Sequence, residues 1–490
     1  MPVVEIFTYG GGVYIFETLN AVAAWTGAGG YASMIQVVMV LGLIYATLIV
    51  AFNLDVRAWL NWFLVTTLIY MALMVPKVDV VITDRIQSSL PTASVGNVPL
   101  GLAVMASFSS QVGDYLTSAA ETVFGLPAGV RYADGGMVWG SRLLESARQL
   151  RIADPEFASN LDEHFKMCVF YDVALGFKSM EALSNTGDLW AAIGPGSPAR
   201  MQRYLTREPD GTVTTEIQTC KWVYDKMTVD WTAAVNGQKG PFSHFLFPDL
   251  PAATALTRFE AQLPSAYQYV LGVSATASDA MKQALMINAF KQATHTMTGG
   301  TAVDVYAQTR AEVQTETTYS SIAAGAMKWV PVLHIILTAL FYAMFPILFP
   351  VFMFPGGVAA LKGYFTGFFY LAAWGPLFVI LHMIMMTRAA STGAVLGGGL
   401  GFSLFNSSGV AGIAEDVSTL AGYMVATIPF LAAGITKGAM AIGGQAASFL
   451  APSQAAASEA GREAATGSFS FGSSSLDTSA FNNTTGHQWN

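Results

Sequence analysis

The sequence predicts a mainly α-helical, polytopic membrane protein with about five transmembrane helices and a large, mostly helical insertion between the second and third spans. Hydrophobic residues make up 53% of the 490-residue chain and charged residues only 11%, against about 25% charged in ordinary soluble domains. The charges are also concentrated, because 43 of the 56 lie within residues 77–328. This separation predicts membrane segments on either side of a water-exposed lobe.

Five charge-free segments are long enough, at about 20 residues each, to cross a hydrocarbon core of about 30 Å. They are residues 31–53, 58–76, 329–354, 364–387 and 417–436. The second is the shortest, but it carries aromatic residues near its ends, where rings favour the membrane interface. The segments predict two transmembrane helices before the charged block and three after it.

The first thirty residues contain apolar residues at helical spacing but no basic region of the kind that begins a cleavable signal peptide. The apolar residues are Val13, Ile15, Phe16, Leu19, Val22, Ala23 and Trp25. They predict either a helix that lies at the membrane surface or a helix that is buried by packing. The sequence leaves both arrangements open.

The charged block has a helical pattern with loop interruptions. Apolar residues recur at helical spacing over residues 108–124, 137–151, 162–176 and 275–294. Residues 212–217 are predicted to form a short strand after a stretch rich in Pro and Gly. The block is therefore expected to be a mainly helical lobe.

The short connections between spans predict the orientation of the chain in the membrane. An even number of crossings puts the N-terminus and the charged block on the same side. If that side is external, the basic residues Arg57, Lys362, Lys437 and Arg462 face the cytoplasm, and Arg388 lies in a short outer loop. Because cytoplasmic loops carry an excess of Lys and Arg, the sequence favours an external N-terminus.

These features divide the chain into five parts. Residues 1–30 form an external or interfacial helix, 31–76 two transmembrane helices and 77–328 the external domain. Residues 329–443 form three transmembrane helices. Residues 444–490, rich in Ala, Ser and Gly, form a flexible cytoplasmic tail.

The two cysteines of the chain, Cys168 and Cys220, both lie in the charged block. In an external lobe this pairing predicts a disulfide, which would close a loop of about 50 residues and stabilise the fold by roughly 4 kcal/mol. Two unpaired buried thiols are the alternative. Two cysteines without clustered histidines are too few for a structural zinc site.

Sequence motifs for catalysis or cofactor binding are missing. The net charge of −8 argues against a large basic surface for nucleic acid. The chain has no Gly-Lys dipeptide, which excludes a Walker A phosphate loop. The glycine run at residues 397–401 follows a span and not a strand, so it predicts a flexible outer loop. The sequence therefore predicts no catalytic residue, cofactor or metal, and a protein that is not an enzyme.

Two other functional classes stay open on particular residues. A solute transporter would need polar groups within the spans, and only His334 and His382 are candidates there. A membrane-anchored enzyme would need a cleft with perturbed carboxylates, for which the candidates are Asp162, Glu163 and Asp172. The more ordinary interpretation is a hydrogen bond between helices for the histidines and a solvated helix face for the carboxylates.

Glycine pairs at small-x-x-x-small spacing predict close helix packing in the later spans. They are Gly363 with Gly367 and Gly434 with Gly438. A side chain as small as glycine lets two membrane helices approach closely. These four positions are the predicted helix contacts.

Several short stretches resemble one family along nearly the whole chain. They include residues 19–24, 97–103 and 286–289 with Lys291, then 361–364 and 421–424, together with the two cysteines. In this order they are similar to the N-terminal region of TraG-type conjugation proteins, the polytopic inner-membrane component of F-like type IV secretion systems.

The resemblance implies a platform or channel subunit in the bacterial inner membrane, with a periplasmic insertion, that supports pilus assembly and the transfer of DNA and protein. It implies a homo-oligomer, with a five-fold ring as one arrangement, in contact with the lipid bilayer. Further implied partners are stalk or pilin proteins and separate ATPases, with DNA only as a translocated substrate. Family members usually carry a long C-terminal domain linked to mating-pair stabilisation and entry exclusion, and the resemblance up to Asn490 does not extend to those functions.

Overall fold

The computed structural model describes residues 3–53, 56–86, 93–207, 211–248, 250–297, 327, 329–354, 356–437, 470–471 and 474–475. Helices dominate these ranges, which confirms the mainly α-helical class. Most of the predicted tail, residues 444–490, lies outside the described residues, and so does Gly438.

A three-stranded sheet, which the sequence pattern did not predict, joins the N-terminus to the start of the charged block. Strand β1 (Val3–Thr8) pairs in parallel with β2 (Lys77–Asp84), and β3 (Ala93–Pro99) pairs antiparallel with β2. Alternate residues of β2 are buried, as expected of a strand with one face on the core. The interpretation of residues 1–30 as a helix alone is therefore incomplete, and the N-terminus lies beside the first residues of the block.

Helix α1 (Gly12–Gly27) follows β1 and packs against β3. Ile15 and Leu19 are buried on its inner face, whereas Tyr14 and Trp25 are exposed on the other side. Packing accounts for the inner face, and the outer face remains apolar. The inner face matches the arrangement in which the helix is buried by packing, and the membrane-surface arrangement stays a prediction for the outer face.

The apolar helices match the predicted spans in part. Within the described ranges, three helical stretches are long and apolar enough to cross a membrane, at Gly29–Phe52, Gly357–Gly397 and Ser407–Thr436. The five-span count is not confirmed. The helices that form these stretches are α2 (Gly29–Asn53), α16 (Gly357–Ala372), α17 (Trp374–Gly397), α18 (Ser407–Val425) and α19 (Ile428–Lys437).

The second and third predicted spans differ from single straight helices. Helix α3 (Val56–Leu73) has its apolar stretch at Trp59–Leu73, roughly 22 Å at 1.5 Å per residue, which is short of a core of about 30 Å. Helices α14 (Trp329–Ala343) and α15 (Phe345–Phe352) meet at a bend of 47°. Pro346 lies directly after the bend. It has no N–H to donate to the carbonyl four residues earlier, and its ring would clash with that carbonyl in a continuous helix. The bent pair is a fourth candidate if it forms one broken span.

The lobe contains the predicted helices and one hairpin. Strands β4 (Met201–Arg207) and β5 (Val213–Thr219) pair antiparallel, which confirms the strand expected at residues 212–217. A π-helical turn at Phe165–Val169 separates α7 (Pro155–His164) from α8 (Phe170–Ala174). The lobe helices are α4 (Leu100–Val123), α5 (Tyr132–Gly135), α6 (Trp139–Arg148), α7 (Pro155–His164), α8 (Phe170–Ala174), α9 (Met180–Ser184), α10 (Leu189–Ile193), α11 (Cys220–Leu246), α12 (Ala252–Leu271) and α13 (Ala277–Met297).

Buried apolar residues form two clusters. The first combines lobe residues such as Phe259 and Leu263 with Met386 of α17 and Ala421 of α18. The second joins the three-stranded sheet, α1 and the start of α4 to α15 and α16. The 41-residue stretch of α16 and α17 is roughly 60 Å long at 1.5 Å per residue. It is about twice the thickness of a hydrocarbon core, so it extends well beyond the predicted span 364–387 and into the lobe.

Candidate functional site

A partly buried ion-pair network lies where the sheet meets α4. The Asp114 carboxylate accepts hydrogen bonds from Arg85 Nε at 2.9 Å and Nη2 at 2.6 Å, and from the Tyr9 hydroxyl at 3.0 Å. Bidentate, charge-assisted bonds of this type are strong and directional. Burial and the charge of Asp114 raise the pKa of Tyr9, and the hydrogen bond to Asp114 raises the pKa of Arg85. The network fixes the ends of β1 and β2 on α4.

A small cavity lies beside this network, between β1, α4, α14 and α17. Its volume is about 70 Å³, and its lining includes Asp114, Thr117, His334 and Thr338. That space holds a few water molecules, whereas small-molecule pockets usually measure about 300–1,000 Å³. The cavity is too small for a solute-binding site of the ordinary kind.

The two histidines predicted within spans both link segments of the chain. His382 Nε2 donates to the carbonyl of Val130 at 2.7 Å, and His382 Nδ1 accepts from the N–H of Val138 at 2.9 Å. Both ring nitrogens are therefore used, and the ring faces the lobe instead of an open membrane path. His334 Nε2 bonds to the carbonyl of Leu371 at 2.9 Å. These contacts match the interpretation of the histidines as hydrogen-bonding groups between helices.

The three carboxylates proposed as an enzyme site do not converge. Lys166 Nζ lies 2.6 Å from the Asp162 carboxylate, and Arg203 Nε lies 3.4 Å from that of Glu163.

Asp172 is buried and binds two cations, with Arg200 Nη1 at 2.7 Å and Lys178 Nζ at 3.1 Å. The same Arg200 atom donates to the carbonyl of Cys168 at 2.9 Å. Asp172 thus holds the segments around the first cysteine together. Among the described residues no group of three or more His, Cys, Asp or Glu is arranged to hold a metal ion.

Cys168 and Cys220 come together at the base of the hairpin β4–β5. Their Cα atoms are 5.9 Å apart and their sulfur atoms 1.97 Å apart, as in a disulfide. Gly196 lies against the pair, since a Cβ atom there would be 2.8 Å from Cys220 Cβ. His164 is buried nearby, and Nδ1 donates to the Gln202 side-chain oxygen at 2.8 Å. Burial lowers the pKa of His164 to about 4, so this ring is neutral at pH 7.

The predicted glycine contacts differ from one another. A Cβ atom on Gly367 would collide with the ring of Phe341 in α14, so this position is a helix contact within the chain. A Cβ atom on Gly363 would meet nothing within 4 Å, so the structure gives Gly363 no packing role within one chain. Gly434 is buried in α19.

Sequence reasoning missed a glycine contact that is as tight as that of Gly367. A Cβ atom on Gly393, near the end of α17, would collide with the backbone carbonyl of Val270 in α12. Gly393 and Gly397 have the same small-x-x-x-small spacing as the predicted pairs, but they lie beyond the predicted span 364–387 and their partners, Val270 and Leu271, belong to the lobe and not to another membrane helix.

The glycine-rich segment after α17 is packed against the lobe, unlike the free outer loop expected from its composition. The N–H of Phe402 donates to the Tyr267 hydroxyl at 2.7 Å, and the N–H of Phe405 donates to the carbonyl of Ser184 at 3.1 Å. Gly398 ends α17 in a left-handed conformation, which glycine adopts without steric cost. The connection between α17 and α18 therefore lies on the same side as the lobe.

The fold and these sites define a membrane-associated helical protein in which a lobe is packed onto long apolar helices through structural contacts. The chain belongs to the TraG-like protein family, N-terminal region, whose model matches residues 5–458. It is similar to Protein TraG of Escherichia coli strain K12, with 26% identity over 450 residues that cover 89% of this chain and 45% of that protein. The chain thus spans about half the length of the curated relative it matches. No solved structure matches it.

Proposed function

We propose that the chain is an inner-membrane platform or channel subunit of a conjugative type IV secretion system, where it supports pilus assembly and the translocation of DNA and protein. The observation that carries the proposal is the family match over residues 5–458. The geometry favours a structural role, because the candidate carboxylates and histidines are engaged in ion pairs or hydrogen bonds within the chain.

The proposed topology places the N-terminus and residues 77–328 in the periplasm and the C-terminal tail in the cytoplasm. Two contacts support a common side for the external parts: β1 pairs with β2, and the α17–α18 connection packs on the lobe. An alkaline phosphatase fusion near Gly240 should be active, since that reporter folds only outside the cytoplasm. A fusion near Gly443 should be inactive, and the opposite pattern at both sites would overturn the orientation.

The proposed partners are further copies of this chain, with a five-fold ring as one arrangement, and the stalk or pilin proteins of the secretion system. Separate ATPases would supply energy, and DNA would contact the chain only as cargo. Purification from membranes in detergent tests this proposal. Co-elution of other secretion subunits in a complex larger than one chain supports it, whereas a monomer without such subunits contradicts it.

A transfer assay separates a scaffold from an enzyme. Replacement of Asp162, Glu163 or Asp172 by Ala should leave DNA transfer unchanged at equal protein abundance, apart from effects on folding. Replacement of Gly367 by Leu should abolish transfer through lost assembly, because the added side chain would collide with the Phe341 ring of α14. Two results together would reject the scaffold role. One carboxylate change would have to abolish transfer in a normally assembled protein, and Gly367→Leu would have to leave transfer unchanged.

A further inference from the structure

A cleft in the lobe, separate from the membrane junction, has the features of a binding site. It lies between α13 on one side and the end of α6, the following loop and α7 on the other. Its volume is about 850 Å³, and its polar lining includes Arg148, Arg151, Asp162, Asn288 and Lys291. This volume is within the range of sites that bind small molecules or short peptide segments.

The charges of the cleft are unbalanced. Arg148 binds Glu145 at 2.5 Å, and Asp162 binds Lys166 at 2.6 Å. Within the described ranges, Arg151 and Lys291 have no carboxylate at ion-pair distance. Burial and the nearby charge of Arg148 lower the pKa of Lys291, as expected when like charges are brought together away from water.

Hydrogen bonds hold together the backbone segments that carry the cationic residues. The side-chain amide of Asn288 donates to the carbonyls of Arg148 at 2.6 Å and Leu150 at 2.7 Å. These bonds fasten the end of α6 and the next loop to α13. A ligand would therefore meet positions that are already ordered, which reduces the entropy lost on binding.

The apolar residues that line the cleft limit the class of ligand that it can bind. Ile152, Leu285 and Ala289 add an apolar surface beside the cations. No aromatic residue is among the lining residues, so the cleft lacks the stacking platform of single-stranded nucleic-acid sites. The surrounding block of residues 77–328 has more acidic than basic residues, which repels a long polyanion but admits a short acidic segment.

We propose that this cleft binds a short acidic segment of a partner protein, whose carboxylates pair with Arg151 and Lys291 while an adjacent apolar side chain contacts Ile152 and Leu285. This inference rests on the proposed function, because partner proteins are expected only for a subunit of a secretion system. Binding itself is a property of the single chain, so it can be measured without secretion activity.

The test uses the full chain purified in detergent and a short fluorescein-labelled peptide of alternating Glu and Leu, with a Lys and Leu peptide as the reversed-charge probe. The test variant is R151Q/K291Q. The matched control is K221Q/K226Q, which removes the same charge from α11, where the lysines bind Asp225 and Asp230 outside the cleft. Fluorescence anisotropy gives the affinity, and thermal unfolding verifies the fold of both variants.

The acidic peptide should bind saturably and the basic one should not. R151Q/K291Q should weaken binding roughly tenfold, or about 1.4 kcal/mol. Thermal stability should not fall, since K291Q removes the repulsion between Lys291 and Arg148 and neither residue has an ion pair to lose within the described ranges. The control should bind like the original chain. Absence of saturable binding, or equal affinities for the two variants, overturns the proposal. Preferential binding of single-stranded oligothymidylate, sensitive to R151Q/K291Q, would assign the cleft to nucleic acid instead. Normal DNA transfer by cells that lack this chain, together with saturable peptide binding by the purified chain, would count only against the secretion role.

Discussion

The two most prominent apolar helical regions of the chain, α2 and the α16–α17 stretch, are packed very differently. The most apolar window of α2 has a mean hydropathy of 2.5 but is only 18% buried, whereas that of α16–α17 has 1.8 and is 44% buried. Leu41, Tyr45 and Leu48 of α2 are half exposed, while α17 contacts α4, α12 and α18. The apolar surface of α2 is therefore available to lipid or other subunits, whereas much of the α16–α17 surface is used for packing within the chain.

The difference has a physical basis in the kind of contact each region makes. A helix surrounded by lipid needs only apolar side chains. A helix packed against a folded lobe also needs small residues for close approach and polar groups that satisfy neighbouring backbone atoms. Gly393 and His382 supply these features in α17.

The sharpest test of this comparison places the same substitution at two glycines of the α16–α17 stretch. Gly393→Leu should destabilise the protein by about 3 kcal/mol or more, because the backbone carbonyl of Val270 cannot move away cheaply. Gly363→Leu should leave the single chain intact, since a Cβ atom there meets no neighbour within 4 Å. Thermal unfolding in detergent measures both effects, and equal losses would show that α17 is not anchored on the lobe.

The next largest effect concerns the lobe alone. We expect Cys168 and Cys220 to be bridged in the cell, and Cys168→Ser to destabilise the lobe by about 2–4 kcal/mol. Thiol labelling before and after reduction checks the bridge. Complete labelling of both cysteines in unreduced, folded protein would contradict it. Protease sensitivity should rise in the lobe and remain unchanged at α2, because Val169 and Val223 beside the cysteines belong to the first buried cluster and α2 contributes buried residues to the second.

A pH titration tests the burial of His164 in the lobe, with a smaller expected effect. Burial lowers the pKa of His164 to about 4 from an ordinary value of 6.5. Between these values the unfolded chain binds more protons than the folded one, so stability is lost as pH falls below 6.5. The lobe should be less stable by about 1 kcal/mol at pH 5.5 than at pH 7.5.

The His164→Asn variant should show a weaker pH dependence over this range. His244→Asn, which changes an exposed ring of α11, is the matched control and should retain the original slope. An unchanged slope in His164→Asn would mean that other groups control the acid sensitivity.

The smallest effect is expected at the exposed face of α2. Leu48→Ala should change the unfolding free energy of the single chain by less than about 0.5 kcal/mol, because its side chain is 50% exposed. If α2 contacts other subunits, the same variant should shift the complex to smaller species in size-exclusion chromatography. A large loss of stability in the isolated chain would place α2 in a buried contact.

The sequence predicted the elements of secondary structure that depend on the pattern of neighbouring residues. The helices of the lobe and the strand near residue 215 follow from apolar spacing and turn residues, and each depends on neighbours in the sequence. The three-stranded sheet was missed because β1 is six residues long and its partner strand lies more than 70 residues away. Periodicity over a short window contains no information about such a partner.

The site residues show the same limit. Asp114 lies within a stretch that was predicted as an apolar-periodic helix, where a single carboxylate could have suggested a buried ion pair. Its partners Tyr9 and Arg85 could not be identified, since they follow strands whose pairing was unknown. Gly393 was missed for a related reason: its Gly-x-x-x-Gly spacing with Gly397 lies beyond the predicted span, and the helix pattern does not show that the contact is with the lobe.

The parallel pairing of β1 with β2 has a consequence for the order in which the protein is made. Residues 3–8 leave the ribosome first, but their partners at residues 77–84 follow only after α1, α2 and α3 have been synthesised. Residues 3–8 therefore stay unpaired until residues 77–84 have been made. Because long-range pairing is slow, closure of this sheet should be a late step in biogenesis, and it requires that the chain return to its N-terminus after α2 and α3.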